Sequence, residues 1–261
     1  MQPILNEAQK QQFIRDGYVV ARGLLPRPLV EATRVNLLRA LQIDVDDPFT
    51  WEGKSYSSDP DALAATVPCR TTAVEQVAEE LVGSGFVHGL AYSPFLAARG
   101  IVPSTIKGYI PVLNFPVPGA QRFECPLDYH IDGMAATALW PVYQSLVVFA
   151  YLTDVREYGG ATTVLPGSHL QIFRHFLGGE AEFNGEVPHL QYADPMPVAG
   201  AAGDVIFMHY LLAHSGSANH SDQIRVGLNT AIMADPDRPY VPRTGLPTPD
   251  WTPLDHTLQP T

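Results

Sequence analysis

The feature that most restricts the fold is a succession of short apolar runs in the second half of the chain. Examples are QSLVVFAYLTD, which starts at Gln144, and IRVGLNTAIMA, which starts at Ile224. Runs rich in β-branched and aromatic residues predict strands, and polar, turn-forming segments such as SGSANHSDQ separate them. Many short strands of this kind favour a double-sheet barrel as the main body of the protein.

The first part of the chain instead carries helical patterns. Asn6 is placed to cap a helix that Gly17 stops. Apolar residues at helical spacing predict a second helix over about 28–41. A third is predicted to begin with a capping box formed by Thr72 and Glu75.

Helices first and short strands afterwards predict an α+β, mainly β fold. We expect one domain over 1–261, in which 1–100 is mostly helical support, 106–234 is the strand-rich core, and 235–261 is a proline-rich, irregular tail. The polar segment Asp44–Asp61 is expected to form a long surface loop.

Charge and composition exclude several classes of partner. Sixteen basic against 27 acidic residues give a net charge of −11, which disfavours nonspecific binding to nucleic acid or to an anionic membrane. No apolar run approaches the ~20 residues of a membrane span, and the N-terminal segment lacks the layout of a signal peptide. Two cysteines, Cys69 and Cys125, are too few for a disulfide framework. The expectation is a cytoplasmic protein with a small-molecule partner; oligomeric state is not indicated.

The stretch LDYHIDGM places His130 and Asp132 two residues apart within a strand-like run. Residues i and i+2 of a strand point to the same face, so the imidazole and the carboxylate can reach one point. Two such ligands plus a histidine from elsewhere form the metal-binding triad of non-haem Fe(II) oxygenases. The spacing alone is a weak signal, because a surface strand explains it equally well.

A third ligand has to come from a distant segment, and GDVIFMHYLLAH offers both His209 and His214. Periodicity does not choose between them, since on one regular strand they face opposite ways. Arg225 lies eleven residues after His214, at the start of an apolar strand. A buried arginine needs a partner, which is either an internal carboxylate or the carboxylate of a ligand.

In combination these residues resemble the Fe(II)- and 2-oxoglutarate-dependent oxygenases of the phytanoyl-CoA dioxygenase (PhyH-like) family. The N-terminal FIRDGYVVARGLL, the central YLTDVREYGGATTVLPGSH and the later GDVIFMHYLLAHSGSANHSDQIR are similar to family segments and stand in the family's order. The resemblance runs from about Asn6 to Ala234.

The resemblance implies a double-stranded β-helix (jelly-roll, cupin-like) core, with N-terminal helices that buttress one sheet. It assigns His130, Asp132 and His214 as ligands of Fe(II), and Arg225 as the clamp on the far carboxylate of 2-oxoglutarate. Asn114 and Thr163 match positions that face this cosubstrate. His209 is interpreted as strand packing and His169 of PGSH as turn closure.

The implied activity is that of a dioxygenase, which uses O2 to hydroxylate an unactivated carbon and releases succinate and CO2. Desaturation, cyclisation and epimerisation are open to the same centre, whereas Asp132 argues against halogenation, because related halogenases have a small residue there. Tyr129, Met134 and Trp140 are candidates for the substrate pocket wall, and Asp44–Asp61 is a candidate lid. The substrate is not indicated beyond a small molecule or biosynthetic intermediate.

The chain departs from the family pattern at three places. Ser215 follows His214 where relatives often have glycine, Ile131 stands where glutamine is frequent, and Phe115 replaces a common lysine. These departures bear on how the cosubstrate is hydrogen-bonded and leave the triad intact.

Two readings of other classes remain. One is a non-catalytic jelly-roll binding protein, against which the intact set of histidines, aspartate and arginine argues. The other is a cupin-type metalloenzyme, a class that generally uses several histidines with a glutamate and no clamping arginine.

Overall fold

A computed structural model of the protein describes residues 2–57, 59–82, 86–88, 109–132, 144–177 and 186–234. It contains helices followed by two antiparallel sheets, so the mixed α and β composition expected from the sequence is confirmed. The predicted tail 235–261 and the pocket candidates Met134 and Trp140 lie outside the described residues. No helix in the described ranges is long and apolar enough to cross a membrane.

The first helix begins and ends where the sequence predicts. Helix α1 spans Glu7–Asp16, and Asn6 forms a capping box with Gln9 at its start. Gly17 ends the helix with φ of 82°, a left-handed conformation that glycine adopts without steric cost.

The remaining N-terminal helices include one that the sequence patterns did not predict. They are α2 at Arg27–Ala40, α3 at Pro60–Thr66 and α4 at Thr72–Val82. The predicted capping box at Thr72 is wrong by one residue. The hydroxyl of Thr71 accepts from the N–H of Val74 at 3.4 Å, and Thr72 is already the first helical residue.

Nine strands form a six-stranded and a three-stranded sheet within the described residues. In chain order they are β1 Tyr18–Ala21, β2 Phe86–His88, β3 Ile110–Asn114, β4 Gln144–Tyr151, β5 Thr162–Val164, β6 Met196–Val198, β7 Val205–His209, β8 His214–Gly216 and β9 Arg225–Ala234. The major sheet has the order β1-β7-β4-β9-β2, with β3 also paired to β9, and the minor sheet has the order β6-β5-β8. Helix α5, Ser168–Leu177, follows β5.

Alternation along β4 shows how the layers are stacked. Leu146, Val148 and Ala150 point to one side and pack in a cluster with the helices, represented by Leu37 of α2. Val147, Phe149 and Tyr151 point to the other side and pack with residues of the minor sheet, among them Val164 of β5 and Val198 of β6. The major sheet is therefore a central layer between the helices and the minor sheet. Burying each such side chain contributes roughly 1.5–3 kcal/mol.

Two differences from the sequence prediction concern the strands. Strand β1 lies in the part predicted as helical and pairs antiparallel with β7, from Tyr18 opposite Met208 to Ala21 opposite Val205. The run predicted as a single strand, GDVIFMHYLLAH, is divided by a turn, so that β7 belongs to the major sheet and β8 to the minor one.

Helix α1 is attached to the sheets through His169, which lies in the first turn of α5. Its Nε2 lies 3.2 Å from the carbonyl oxygen of Ile14, and the N–H of Gly167 donates to the carbonyl of Asp16. A Cβ added to Gly17 would lie only 2.5 Å from Nδ1 of His169. Gly17 is thus required both by its dihedral angle and by this close approach.

We expect Gly17→Ala to lower the free energy of unfolding more than Gly23→Ala. Both glycines have positive φ, so both substitutions carry a backbone cost of roughly 1–2 kcal/mol. Only Gly17 has a buried ring against it, since nothing lies within 4 Å of a Cβ at Gly23. Overpacking adds roughly 1–3 kcal/mol. Urea denaturation of the two variants measures the difference, and equal losses would contradict the close approach of His169.

The buried histidines predict acid sensitivity. Burial lowers the pKa of His169 to about 4 and that of His209 well below its ordinary value. The unfolded chain therefore binds protons that the folded protein excludes, so stability is full above the unfolded pKa near 6.5 and is lost as pH falls towards 4. For His169 this loss amounts to roughly 3 kcal/mol.

His169→Gln removes the titrating ring and keeps a donor for the carbonyl of Ile14, so the fall in unfolding free energy between about pH 7 and about pH 4.5 should become shallower. The exposed His189 supplies the control, His189→Gln. A pH dependence in His169→Gln as steep as that of the control would rule out this assignment.

Candidate metal centre

Residues 130–132 owe their geometry to a single main-chain pairing. His130 and His214 form an isolated antiparallel bridge, in which each N–H donates to the carbonyl of the other at 3.0 Å. Partners in such a bridge project to the same side, which brings the two imidazoles together. Ile131 points the opposite way and is completely buried with Tyr210 and Leu211. The isoleucine anchors the segment and leaves its neighbours on the exposed side.

The three predicted ligands converge. Oδ1 of Asp132 lies 3.6 Å from Nε2 of His130 and 3.8 Å from Nε2 of His214. All three donor atoms lie within 4.8 Å of one another, and the imidazole centroids are 4.4 Å apart. Metal–ligand bonds of about 2.1 Å at right angles put ligand atoms roughly 3 Å apart, so a small contraction would accommodate one ion. Three donors on one side leave the other positions of an octahedron open.

The surroundings of both histidines suit them to act as ligands. Nδ1 of His214 lies 2.9 Å from the carbonyl oxygen of Leu212, and as an N–H it donates there, which leaves the lone pair of Nε2 facing Asp132. Partial burial and the nearby His214 lower the pKa of His130 to about 4, although Asp132 opposes the shift. The sequence could not reveal the role of Leu212, because any residue supplies a carbonyl.

Arg225 is buried, and none of the residues that the structure describes supplies it with an anionic partner. It begins β9 opposite Asn114 of β3, is only 5% exposed, and lies over the ring of Phe149 at 5.1 Å. Among the described residues no carboxylate reaches it, and its Nε has no hydrogen-bond acceptor. The internal salt bridge considered from the sequence is therefore absent from the described residues. Burial lowers the pKa of the guanidinium, while the hydroxyls of Tyr151 and Tyr56 raise it.

Gly227 makes room for the ring beneath Arg225. Arg225 and Gly227 lie on the same face of β9, and a Cβ added to Gly227 would collide with the ring of Phe149. The aromatic ring therefore occupies the space of the missing side chain, and the guanidinium lies over it.

The two other predicted cosubstrate residues differ in their placement. Asn114 faces Arg225 across the strand pair, and its amide nitrogen donates to the carbonyl of Ser217 at 2.8 Å. Thr163 is buried, and its hydroxyl donates to the carbonyl of Ala161 at 3.4 Å. Because Val164 is the register partner of His214, alternation turns Thr163 to the opposite face of the minor sheet. The structure thus brings Asn114 to the site and not Thr163.

A turn places His209 and His214 in different surroundings. His214 joins the cluster, whereas His209 ends β7 and lies against His169, with ring centroids 5.1 Å apart. The prediction assumed that both histidines lie on one strand. This was wrong, because a turn at Tyr210 and Leu211 divides the run into two strands.

The candidate lid is tied to the edge of the major sheet. Tyr56 forms a bridge with Val112, and the carbonyl of Ser55 accepts from the N–H of Leu113 at 2.8 Å. Trp51 stacks on Phe115 with centroids 5.3 Å apart. Tyr56 shares the face of Val112, which is also the face of Arg225. Of the pocket candidates, Tyr129 packs against the cluster of Ile131 instead of facing the metal ligands.

Comparison with solved structures shows the fold. The non-heme alpha ketoglutarate dependent carbocyclase SnoK from nogalamycin biosynthesis aligns with a TM-score of 0.58 and 19% identity, covering 90% of this chain and 88% of SnoK. The non-heme alpha ketoglutarate dependent epimerase SnoN from the same biosynthesis aligns with a TM-score of 0.57 and 21% identity, covering 95% of this chain and 94% of SnoN. A structure of SnoN in complex with Fe3+, alpha ketoglutarate and nogalamycin RO aligns with a TM-score of 0.50 and 20% identity over the same shares.

No curated protein sequence matches this chain. The sequence model of one family, described as phytanoyl-CoA dioxygenase (PhyH), matches residues 107–227, a range that holds all three converging donors and Arg225. The resemblance drawn from the sequence motifs is therefore confirmed over residues 107–227.

Proposed function

We propose that this protein is a non-haem Fe(II)- and 2-oxoglutarate-dependent oxygenase. In this proposal His130, Asp132 and His214 bind the iron, and Arg225 binds the far carboxylate of 2-oxoglutarate. The observation that carries it is the combination of three converging imidazole and carboxylate donors with a buried guanidinium that no described carboxylate neutralises.

The donor set fits the metal. Imidazole and carboxylate together suit Fe(II), and three ligands on one side leave room for a bidentate cosubstrate and for O2. The bound iron supplies the oxidative chemistry, in which 2-oxoglutarate is converted to succinate and CO2. The family match and the SnoN complex with Fe3+ and alpha ketoglutarate support this choice of cofactor and cosubstrate.

The protein's own contribution is binding and orientation. Leu212 fixes the tautomer of His214, so that its lone pair is presented to the metal without rearrangement. Arg225 would supply roughly 1.5–3 kcal/mol through a charge-assisted pair with the carboxylate. Asn114 holds its strand against Ser217 next to Arg225, and we propose that its amide oxygen lines the cosubstrate site.

The arrangement of layers supports a double-stranded β-helix, or jelly roll. The two antiparallel sheets pack face to face, the helices cover the outer face of the major sheet, and the proposed ligands come from the minor sheet and the segment bridged to it. We further propose that 1–261 is one such domain.

Hydroxylation of a small molecule or biosynthetic intermediate is the reaction that we propose. Asp132 would take a coordination position of the iron, which favours oxygen chemistry over halogenation. Cyclisation and epimerisation remain the second candidates, because SnoK is described as a carbocyclase and SnoN as an epimerase.

Fe(II) binding distinguishes the proposed oxygenase from a non-catalytic binding protein. Replacing His130, Asp132 or His214 by alanine should strongly weaken Fe(II) binding, because each variant loses one of the three donors. Anaerobic Fe(II) titration measures the loss, with His189→Ala as the control at an exposed histidine. Binding at the level of the unaltered protein in any of the three variants contradicts the assignment of that ligand.

If Arg225 binds 2-oxoglutarate, replacing it should weaken the binding of 2-oxoglutarate without lowering the stability of the protein. Arg225→Met replaces a buried cation by an apolar side chain of similar length, so the melting temperature without 2-oxoglutarate should be unchanged or higher. Affinity for 2-oxoglutarate should fall roughly 10- to 150-fold, in line with a loss of about 1.5–3 kcal/mol.

The anaerobic visible absorption band of the Fe(II)–2-oxoglutarate complex measures that affinity. Arg156→Met, at an exposed position, is the control and should bind as the unaltered protein does. If Arg225→Met retains the full band at the same 2-oxoglutarate concentration, dependence on this cosubstrate is wrong.

A further inference from the structure

The turn that carries His214 is held at nearly every main-chain position. Between β7 and β8, Leu211 donates to Nδ1 of His209 at 3.1 Å, and Leu212 donates to the carbonyl of His209 at 2.9 Å. Ala213 donates to the hydroxyl of Ser168 at 2.9 Å. The carbonyl of Leu212, thereby fixed, accepts from Nδ1 of His214 at 2.9 Å.

His209 acts on this turn as an asparagine does in an Asx turn. Its ring nitrogen accepts from the N–H two residues further along, which is the local bond that Asn and Asp side chains make in turns. This contact fixes the tautomer, since Nδ1 must carry a lone pair and the proton must be on Nε2. Burial lowers the pKa of the ring and keeps it neutral, which the accepting role requires.

His169 complements His209 from the other side. Its Nε2 donates to the carbonyl of Ile14, so its Nδ1 carries a lone pair. Nε2 of His209 and Nδ1 of His169 are both fully buried and without partners in the described structure, and the two rings are 5.1 Å apart. One nitrogen is a donor and the other an acceptor, so a small ring rotation or one bridging water would join them.

We propose that His209 and Ser168 are positioning residues for the metal ligand His214. They hold the turn so that the carbonyl of Leu212 meets Nδ1 of His214, which directs Nε2 to the ion. Neither side chain contacts the metal donors, and both come from segments that the sequence analysis assigned to packing and turn closure. The proposal rests on the proposed function only in taking His214 as a metal ligand.

The physical basis is preorganisation. A ligand whose second nitrogen is already bonded to a fixed acceptor loses little orientational freedom when the metal binds, and loss of such outer contacts typically lowers metal affinity 10- to 100-fold. A packing role for His209 predicts something else. In that case the metal affinity depends on how well the side chain at position 209 fills its space and not on which atom accepts the N–H of Leu211.

The discriminating pair is His209→Asn and His209→Gln. The amide oxygen of asparagine takes the place of Nδ1 and can accept from Leu211 in an Asx turn, whereas the longer glutamine side chain places its polar atoms near Nε2. The probe is Co(II), titrated into metal-free protein at neutral pH and followed through its visible absorption.

We expect His209→Asn to bind Co(II) within about threefold of the unaltered protein, and His209→Gln to bind roughly tenfold more weakly. Ser168→Ala should weaken binding in the same way, and Ser168→Thr, which keeps the hydroxyl, should restore it. Val77→Ala in α4 is buried far along the chain and controls for loss of stability alone. Its melting temperature should fall while its Co(II) affinity is unchanged.

A second measurement does not depend on the metal. Long-range 15N–1H correlation spectra of the metal-free protein report the tautomer of His214, which should be Nδ1–H in the unaltered protein and in His209→Asn, and mixed in His209→Gln. Equal Co(II) affinities for the asparagine and glutamine variants, whether both high or both low, would overturn the positioning role. Retention of Co(II) binding in His214→Ala would instead overturn the proposed metal site.

Discussion

Two main-chain hydrogen bonds between His130 and His214 hold the candidate centre together. They join a segment that is otherwise outside the sheets to the first residue of β8, and through β8 to the minor sheet. Because the pairing is antiparallel and reciprocal, it sets the distance and the common side of two imidazoles at once. Asp132, two residues further on, brings its carboxylate to 3.6 Å from Nε2 of His130, and Ile131 supplies the apolar contact that keeps the segment in place.

The site concentrates features that reduce stability. Arg225 is a buried cation without an anion among the described residues, and His169 and His209 each bury a ring nitrogen that has no partner there. Groups of this kind cost free energy unless something else requires them. The cosubstrate that we propose would supply the anion for the guanidinium, and the proposed positioning of His214 would account for the two histidines. The surrounding structure is ordinary by contrast, with alternating apolar strands between helices and a second sheet.

Local patterns in the sequence predicted much of this arrangement. The capping residue Asn6 and the stop at Gly17 gave α1 correctly, because both act through the nearest turn of the helix. The spacing of His130 and Asp132 predicted a shared face, since that depends only on the geometry of extended chain. Arg225, eleven residues after His214, was predicted to be buried, and it is.

The remainder depends on contacts between distant segments. Strand β1 was missed because four residues are too short a run to indicate a strand, and its partner β7 is distant in the sequence. The turn after His209 was missed because its apolar residues read as a continuation of the strand, while its support comes from Ser168, more than forty positions earlier. Thr163 was placed at the cosubstrate by motif, but a one-residue difference in register turns it to the other face.

The lack of a side chain at Gly227 affects where the guanidinium of Arg225 lies. The ring of Phe149 rests where the β-carbon of any other residue would stand, and Arg225 lies over that ring. Gly227, two residues from Arg225, therefore makes possible the position of the guanidinium over this ring. An alanine at this position would displace the ring of Phe149 and, with it, the guanidinium that we propose binds a dicarboxylic acid, although every proposed binding residue would remain in the sequence.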